Sequence, residues 1–103
     1  MVTTSPSPQR TPSTELFAQQ CAKSQTLFEE KNKAYGDTIW KTGVLGACVE
    51  LIGAVARLPI MVVRNPTHGR DVKAKLIDVL RDILNYAAIA LMMVEHDNWE
   101  GEL

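Results

Sequence analysis

The stretch from residue 71 to residue 96 constrains the fold more than any other part of the chain, because its apolar residues recur at steps of three and four. This spacing matches the 3.6-residue period of an α-helix and predicts one long amphipathic helix. We expect its apolar face to be buried against the rest of the protein. That face consists of Val72, Leu76, Val79, Leu80, Ile83, Leu84, Ala87 and Ala90.

A second strip of this helix begins with polar residues and continues with apolar ones. Asp78, Asp82 and Asn85 lie on the strip at helical spacing, and Ile89 and Met93 extend it. A strip that faced only solvent would not need the two apolar residues. We therefore expect the carboxylates to border the core or a subunit contact, and this strip is the best candidate for a functional site.

Two more helices precede this one. Residues 14–33 have helical spacing and are predicted to form the first, with Ser13 or Thr14 as the N-cap. Residues 38–63 are predicted to form the second. Pro59 lacks a backbone N–H and clashes with the preceding turn, so we expect the second helix to kink there.

With 103 residues, the chain is predicted to be a single all-α domain at residues 14–96. A disordered Ser-, Thr- and Pro-rich arm at residues 1–13 precedes it, and an acidic tail at residues 97–103 follows. The turn at residues 35–37 and the loop at residues 64–70 are short, which favours an antiparallel bundle of three main helices. A domain of this size hides a modest fraction of its surface, so we expect homo-oligomerisation to complete the core.

Charge and composition argue against several functions. The net charge is −1, so no overall field favours nucleic acid or an anionic membrane. The N-terminal arm has no apolar signal region, which predicts a cytoplasmic protein. Residues 42–63 are apolar, but Glu50 and Arg57 would each cost roughly 2.5–3.5 kcal/mol at a bilayer centre, which favours a buried core helix without a membrane partner. Cys21 and Cys48 are predicted to be buried free thiols.

Three segments have an order and spacing that resemble a known family. The segments are KNKAYGD at 31–37 followed by Trp40, then Ala56-Arg57-Leu58, then Asp78 and Asp82 leading into Asn85-Tyr86-Ala87. Across residues 24–94 they resemble the nucleotide-modification-associated domain family. That family is found often in phages and bacteria and is related to the MazG-like all-α nucleoside triphosphate pyrophosphohydrolases. The resemblance implies a helical bundle that handles nucleotides and holds Mg²⁺ on a phosphate chain.

The chemistry of such a site indicates which residues would form it. Asp78 and Asp82 lie one helical turn apart, and with Glu50 they supply the hard oxygen ligands that Mg²⁺ prefers. Arg57 suits phosphate through its planar fork. No catalytic residue is assigned. The predicted ligand-binding set is Lys31, Asn32, Tyr35, Glu50, Arg57, Asp78, Asp82, Asn85 and Tyr86.

The chain also departs from the family pattern. Family members often carry charged residues at the positions of Ala34, Gly53, Ala54 and Ala74. Hydrolysis of a phosphoanhydride needs charge to hold metal and a group to position water, so enzyme activity is left undecided.

Three functions follow from these observations. The first is a small helical oligomer that sequesters or senses a nucleotide. The second is a Mg²⁺-dependent pyrophosphohydrolase. The third is a structural or protein-interaction module in which Arg57 simply neutralises Asp78 or Asp82.

Overall fold

The computed structural model describes residues 11–36, 38–62 and 69–101. Within these ranges the protein is all-α and has no β-strand, which confirms the predicted all-α class. Predictions for residues 1–10, for loop residues 64–68 and for the last two residues of the tail lie outside the described residues. The helices are α1 (Pro12–Tyr35), α2 (Gly43–Ala56), α3 (Leu58–Val62) and α4 (Arg70–Glu95), with a 3₁₀ turn at Thr38–Lys41.

Local hydrogen bonds set both ends of α1. The Thr11 hydroxyl accepts a hydrogen bond from the Thr14 backbone N–H at 3.2 Å, so Thr11 is the N-cap. The prediction of Ser13 or Thr14 as the cap is wrong, because both residues lie inside the helix. At the other end, Gly36 adopts φ 60° and donates its N–H to the Asn32 carbonyl at 2.8 Å. Glycine tolerates this left-handed conformation, which ends α1 at the predicted turn.

The second predicted helix is divided into three pieces. A 3₁₀ turn precedes α2, and a break at Arg57 separates α2 from α3. Pro59 is the second residue of α3, where the missing N–H has no intrahelical partner to lose. In an unbroken helix the proline ring would clash with the carbonyl of Val55, four residues earlier, which explains the interruption.

The buried core lies between α2 and α4. Val44 and Ala47 of α2 form one cluster with Ile89 and Met93 of α4, and Met93 is fully buried. Ile89 and Met93 belong to the strip that continues from Asp82, so this strip reaches the core as expected. Apolar packing between these two helices therefore holds the carboxylate-bearing strip of α4 in place.

The wide apolar face predicted for α4 is only partly buried. Val79 is buried, but Leu80 and Leu84 on the same face are exposed. The helical period predicted the face correctly, while the neighbouring helices cover only part of it. The prediction that the whole face is buried is wrong for this single chain.

One arginine links α1 to α4 across this partly open region. The Arg81 guanidinium donates hydrogen bonds to the Gln20 backbone carbonyl at 3.0 Å, to the Gln20 side-chain oxygen at 3.0 Å and to the Ser24 hydroxyl at 3.2 Å. Ser24 is the buried residue of α1. Polar contacts therefore contribute to the attachment of α1 alongside apolar packing.

The segment after α4 folds back onto the start of α2. The carbonyls of Asn98 and Trp99 accept hydrogen bonds from the backbone N–H groups of Val44 and Leu45, at 2.9 and 3.3 Å. Asn98 is also buried. The first N–H groups of a helix have no partner within the helix, so this part of the predicted tail serves as a cap for α2.

The outer side of α2 remains exposed and apolar. Leu45, Val49 and Ile52 keep 66%, 65% and 67% of their surface accessible. By length and composition, Gly43–Val62 is long and apolar enough to cross a membrane, and 17% of its most apolar window is buried. The prediction of a buried core helix is therefore wrong for most of this stretch.

The two cysteines differ from their predicted environment. Both are free, but Cys21 is exposed on α1 and Cys48 is half-buried on α2. The prediction of a buried thiol is wrong for Cys21, which lies beside an open cavity between α1 and α4 that it lines with Ser24 and Leu84.

Candidate functional site

The end of α1, the 3₁₀ turn and the middle of α4 enclose a cavity of about 230 Å³, which we call the Tyr86 cavity. Six of the predicted ligand-binding residues line it, and they come from two helices that are distant in sequence. Its lining consists of Phe28, Lys31, Asn32, Tyr35, Thr38, Ile39, Thr42, Asp82, Asn85, Tyr86 and Ile89.

Helical spacing explains why these side chains converge. On α1, Phe28, Lys31 and Tyr35 follow one another at steps of three and four, so they share a face. On α4, Asp82 and Asn85 share a face in the same way. The 3₁₀ turn closes the cavity between the two helices. Two helical faces and one turn therefore bring polar, aromatic and apolar groups to a single place.

Asp82 lies between two cationic side chains. Its carboxylate is 3.8 Å from the Lys31 ammonium and 4.0 Å from the Arg57 guanidinium. The side chain of Asp82 is 30% exposed, and those of Lys31 and Arg57 are 59% and 56% exposed. Ion pairs this accessible contribute little to stability, typically about 0–1 kcal/mol. The third predicted function, a structural or protein-interaction module, included this pairing of Arg57 with Asp82.

Asp78 does not join this group. It is exposed one turn earlier on α4 and lines a different cavity with Arg57, Ile60 and Lys75. In the described part of the chain, no three His, Cys, Asp or Glu side chains lie close enough together to hold a metal ion. The three carboxylates of the predicted Mg²⁺ site, Asp78, Asp82 and Glu50, line three different cavities, and Mg²⁺ binding stays a prediction.

Glu50 lies in an adjoining cavity of about 430 Å³, which we call the Glu50 cavity. Tyr86, Thr42, Ile39 and Ile89 line both cavities, so these residues form their common wall. Ligand sites in proteins usually span about 300–1,000 Å³. The Glu50 cavity lies within that range, whereas the Tyr86 cavity, at about 230 Å³, is smaller.

The electrostatic environment keeps Tyr86 in its neutral form. Partial burial raises the pKa of Tyr86 above 10.0, and the negative charges of Glu50 and Asp82 raise it further. Arg57 offsets part of this effect. At neutral pH the phenol therefore keeps its proton and is available to donate a hydrogen bond.

Several lining residues were absent from the predicted set. Phe28 follows the same spacing as Lys31 and Tyr35, so the helical period alone could have predicted that it lines the cavity. Ile89 was placed on the correct strip of α4 but was interpreted as core. Thr38 and Thr42 line the cavity because of the 3₁₀ turn, and the sequence contains no comparable signal for that turn.

Comparison of the chain with protein-family models, curated proteins and solved structures finds no match. The resemblance to the nucleotide-modification-associated domain family therefore stays a prediction.

Proposed function

We propose that this protein binds a nucleotide in the Tyr86 cavity and sequesters or senses it without hydrolysing it. The observation that carries the proposal is the convergence of six predicted ligand-binding residues on one cavity. They are Lys31, Asn32, Tyr35, Asp82, Asn85 and Tyr86.

The lining of the cavity suits a heteroaromatic ring. Phe28, Tyr35 and Tyr86 supply aromatic surface, on which a base can stack. The Asn85 amide both donates and accepts hydrogen bonds, and the Asp82 carboxylate accepts them. An apolar lining with a few convergent polar groups is the usual composition of a small-molecule site.

Binding is favoured over hydrolysis by the arrangement of the carboxylates. The all-α pyrophosphohydrolases implied by the resemblance hold Mg²⁺ with acidic residues from facing helices, and the described residues contain no such cluster. Asp82 is instead paired with Lys31 and Arg57. The proposal therefore includes no metal-assisted step.

The proposal also includes an antiparallel bundle completed by a second copy of the chain. Leu45, Val49 and Ile52 form an exposed apolar strip on α2, and contiguous apolar surface of this kind usually marks an interaction site. Glu50 on α2 and Arg57, directly after the end of α2, oppose insertion into a bilayer. A homodimer would cover the strip and leave the proposed cytoplasmic location unchanged.

Titration calorimetry tests the binding proposal. The wild-type protein is titrated with nucleosides and nucleotides of the common bases, with and without Mg²⁺. Asn85→Leu replaces a polar group of the cavity with an apolar one, and binding should fall at least about tenfold while the melting temperature changes little. Asp78→Asn, on the same helix but outside the cavity, is the control. Absence of heat for every compound with the wild-type protein would refute the proposal.

Light scattering tests the assembly. Val49→Lys places a charge on the α2 strip and should convert a dimer into a monomer, whereas Leu16→Lys, at an exposed apolar residue of α1, should not. A wild-type monomer at micromolar concentration contradicts the proposal. Flotation of the wild-type protein with liposomes would assign the strip to a membrane instead.

A further inference from the structure

The described charged side chains around the proposed site balance one another. Lys31 and Arg57 carry positive charge, and Asp82 and Glu50 carry negative charge. Both cations already lie within 4.0 Å of the Asp82 carboxylate. A phosphate group that approached Lys31 or Arg57 would therefore have to compete with Asp82, and it would meet no net positive field.

The backbone dipoles around the cavity also give little support to a phosphate chain. The cavity lies at the C-terminal end of α1, where the helix dipole is partially negative. Phosphates commonly bind to free N–H groups at the opposite end of a helix. The nearby N-terminus of α2 offers no such groups at Val44 and Leu45, because the carbonyls of Asn98 and Trp99 already accept both hydrogen bonds.

The same features suit a ligand that donates hydrogen bonds. The Asp82 carboxylate has acceptor capacity beyond its two ion pairs. Amino groups and ring N–H groups of nucleobases are donors of the matching kind. The volume of about 230 Å³ favours a compact group over an extended phosphate chain.

We infer that the Tyr86 cavity selects a nucleoside or a nucleoside monophosphate over the corresponding triphosphate. This inference rests on the proposed nucleotide function and names its ligand class. The balanced charges around Asp82 and the hydrogen-bonded N–H groups of Val44 and Leu45 are the features that disfavour the longer phosphate chain.

Calorimetry with each nucleoside and its own phosphates tests whether the cavity selects against the triphosphate. Adenosine, guanosine, cytidine and uridine are each compared with their 5′-monophosphates and triphosphates, at fixed salt and in the presence of a chelator. For the base that binds best, the monophosphate should bind within about threefold of the nucleoside, and the triphosphate should bind at least about tenfold more weakly.

Asp82→Asn then tests the cause of the selection. Removal of this carboxylate frees Lys31 and Arg57, so the affinity ratio of triphosphate to nucleoside should rise by about tenfold. Asp78→Asn makes the same charge change one turn away and outside the cavity, so it should leave the ratio unchanged. Because Asp82 is partly exposed, the variant is expected to remain folded, and a melting curve checks this.

The outcomes separate the inference from the proposed function. Triphosphate binding as tight as nucleoside binding in the wild-type protein would overturn the inference alone. If Asp82→Asn and Asp78→Asn have the same affinity ratio of triphosphate to nucleoside, the inference is also overturned. Absence of binding by every compound would overturn both the inference and the proposed function.

Discussion

The Asn98 side-chain amide donates a hydrogen bond to the Trp40 backbone carbonyl at 2.7 Å, although the two residues are 58 positions apart. The same amide contacts the Met93 sulfur at 3.2 Å. This residue therefore connects the end of α4, the 3₁₀ turn and the core. Its position explains why the C-terminal segment belongs to the folded domain.

Replacement of Asn98 by alanine should destabilise the fold. The change leaves the Trp40 carbonyl without its donor in a partly buried place, and an unsatisfied group of this kind costs about 1–3 kcal/mol. Urea denaturation measures the effect. Glu100→Ala, at an exposed residue of the same segment, is the control and should have little effect. Equal stability of Asn98→Ala and the wild-type protein would show that the contact is dispensable.

Two glycines of α2 should respond in opposite directions to alanine. Gly43 adopts φ 68°, and a Cβ there would meet the backbone of residues 99–101, so Gly43→Ala should lose more than about 1 kcal/mol of unfolding free energy. Gly53 lies within α2 with open space around its Cα. Gly53→Ala should gain about 0.5–1 kcal/mol from helix propensity. Thermal melts of both variants check the prediction, and a stabilised Gly43→Ala would contradict the close approach.

Replacement of Arg81 by methionine should loosen α1. Methionine keeps much of the apolar stem but removes the hydrogen bonds to Gln20 and Ser24, with an expected loss of about 1–2 kcal/mol. Hydrogen exchange should quicken in α1 more than in α2. Lys75→Met removes an exposed cation from the same helix and is the control. Unchanged exchange in α1 would mean that apolar packing alone holds it.

Tyr86 should make stability fall at high pH. Its pKa is higher in the folded protein than the ordinary value of 10.0, so folding favours the protonated phenol. This contribution is intact below the unfolded pKa and is lost as the pH rises through the folded pKa. Tyr86→Phe should therefore lose less stability than the wild-type protein as the pH rises above about 10.

Denaturation at several pH values checks this prediction. Tyr35→Phe controls for the loss of a phenol hydroxyl, because Tyr35 is exposed at the mouth of the same cavity. If the unfolding free energies of the wild-type protein and Tyr86→Phe change with pH in parallel, Tyr86 does not contribute to the loss of stability at high pH.

The sequence by itself determined the long fourth helix and the strip of it that enters the candidate site. The helix predicted at residues 71–96 corresponds to Arg70–Glu95, because the apolar period is a local property of the chain. Asp82 and Asn85 were assigned to one strip of this helix for the same reason, whereas Tyr35 was expected in a turn and instead ends α1. Local spacing therefore identified Asp82 and Asn85, whereas the other four predicted residues of the Tyr86 cavity came from the segments that carry the resemblance.

Only the tertiary structure decided how these faces meet. Asp78 and Asp82 share a strip, but only Asp82 lies where the end of α1 and the 3₁₀ turn approach α4, while Asp78 is exposed and lines another cavity. The contact between Asn98 and Trp40 likewise depends on the return of the chain after α4. Helical periodicity specifies which residues share a face, whereas the partner of that face depends on packing between residues far apart in sequence.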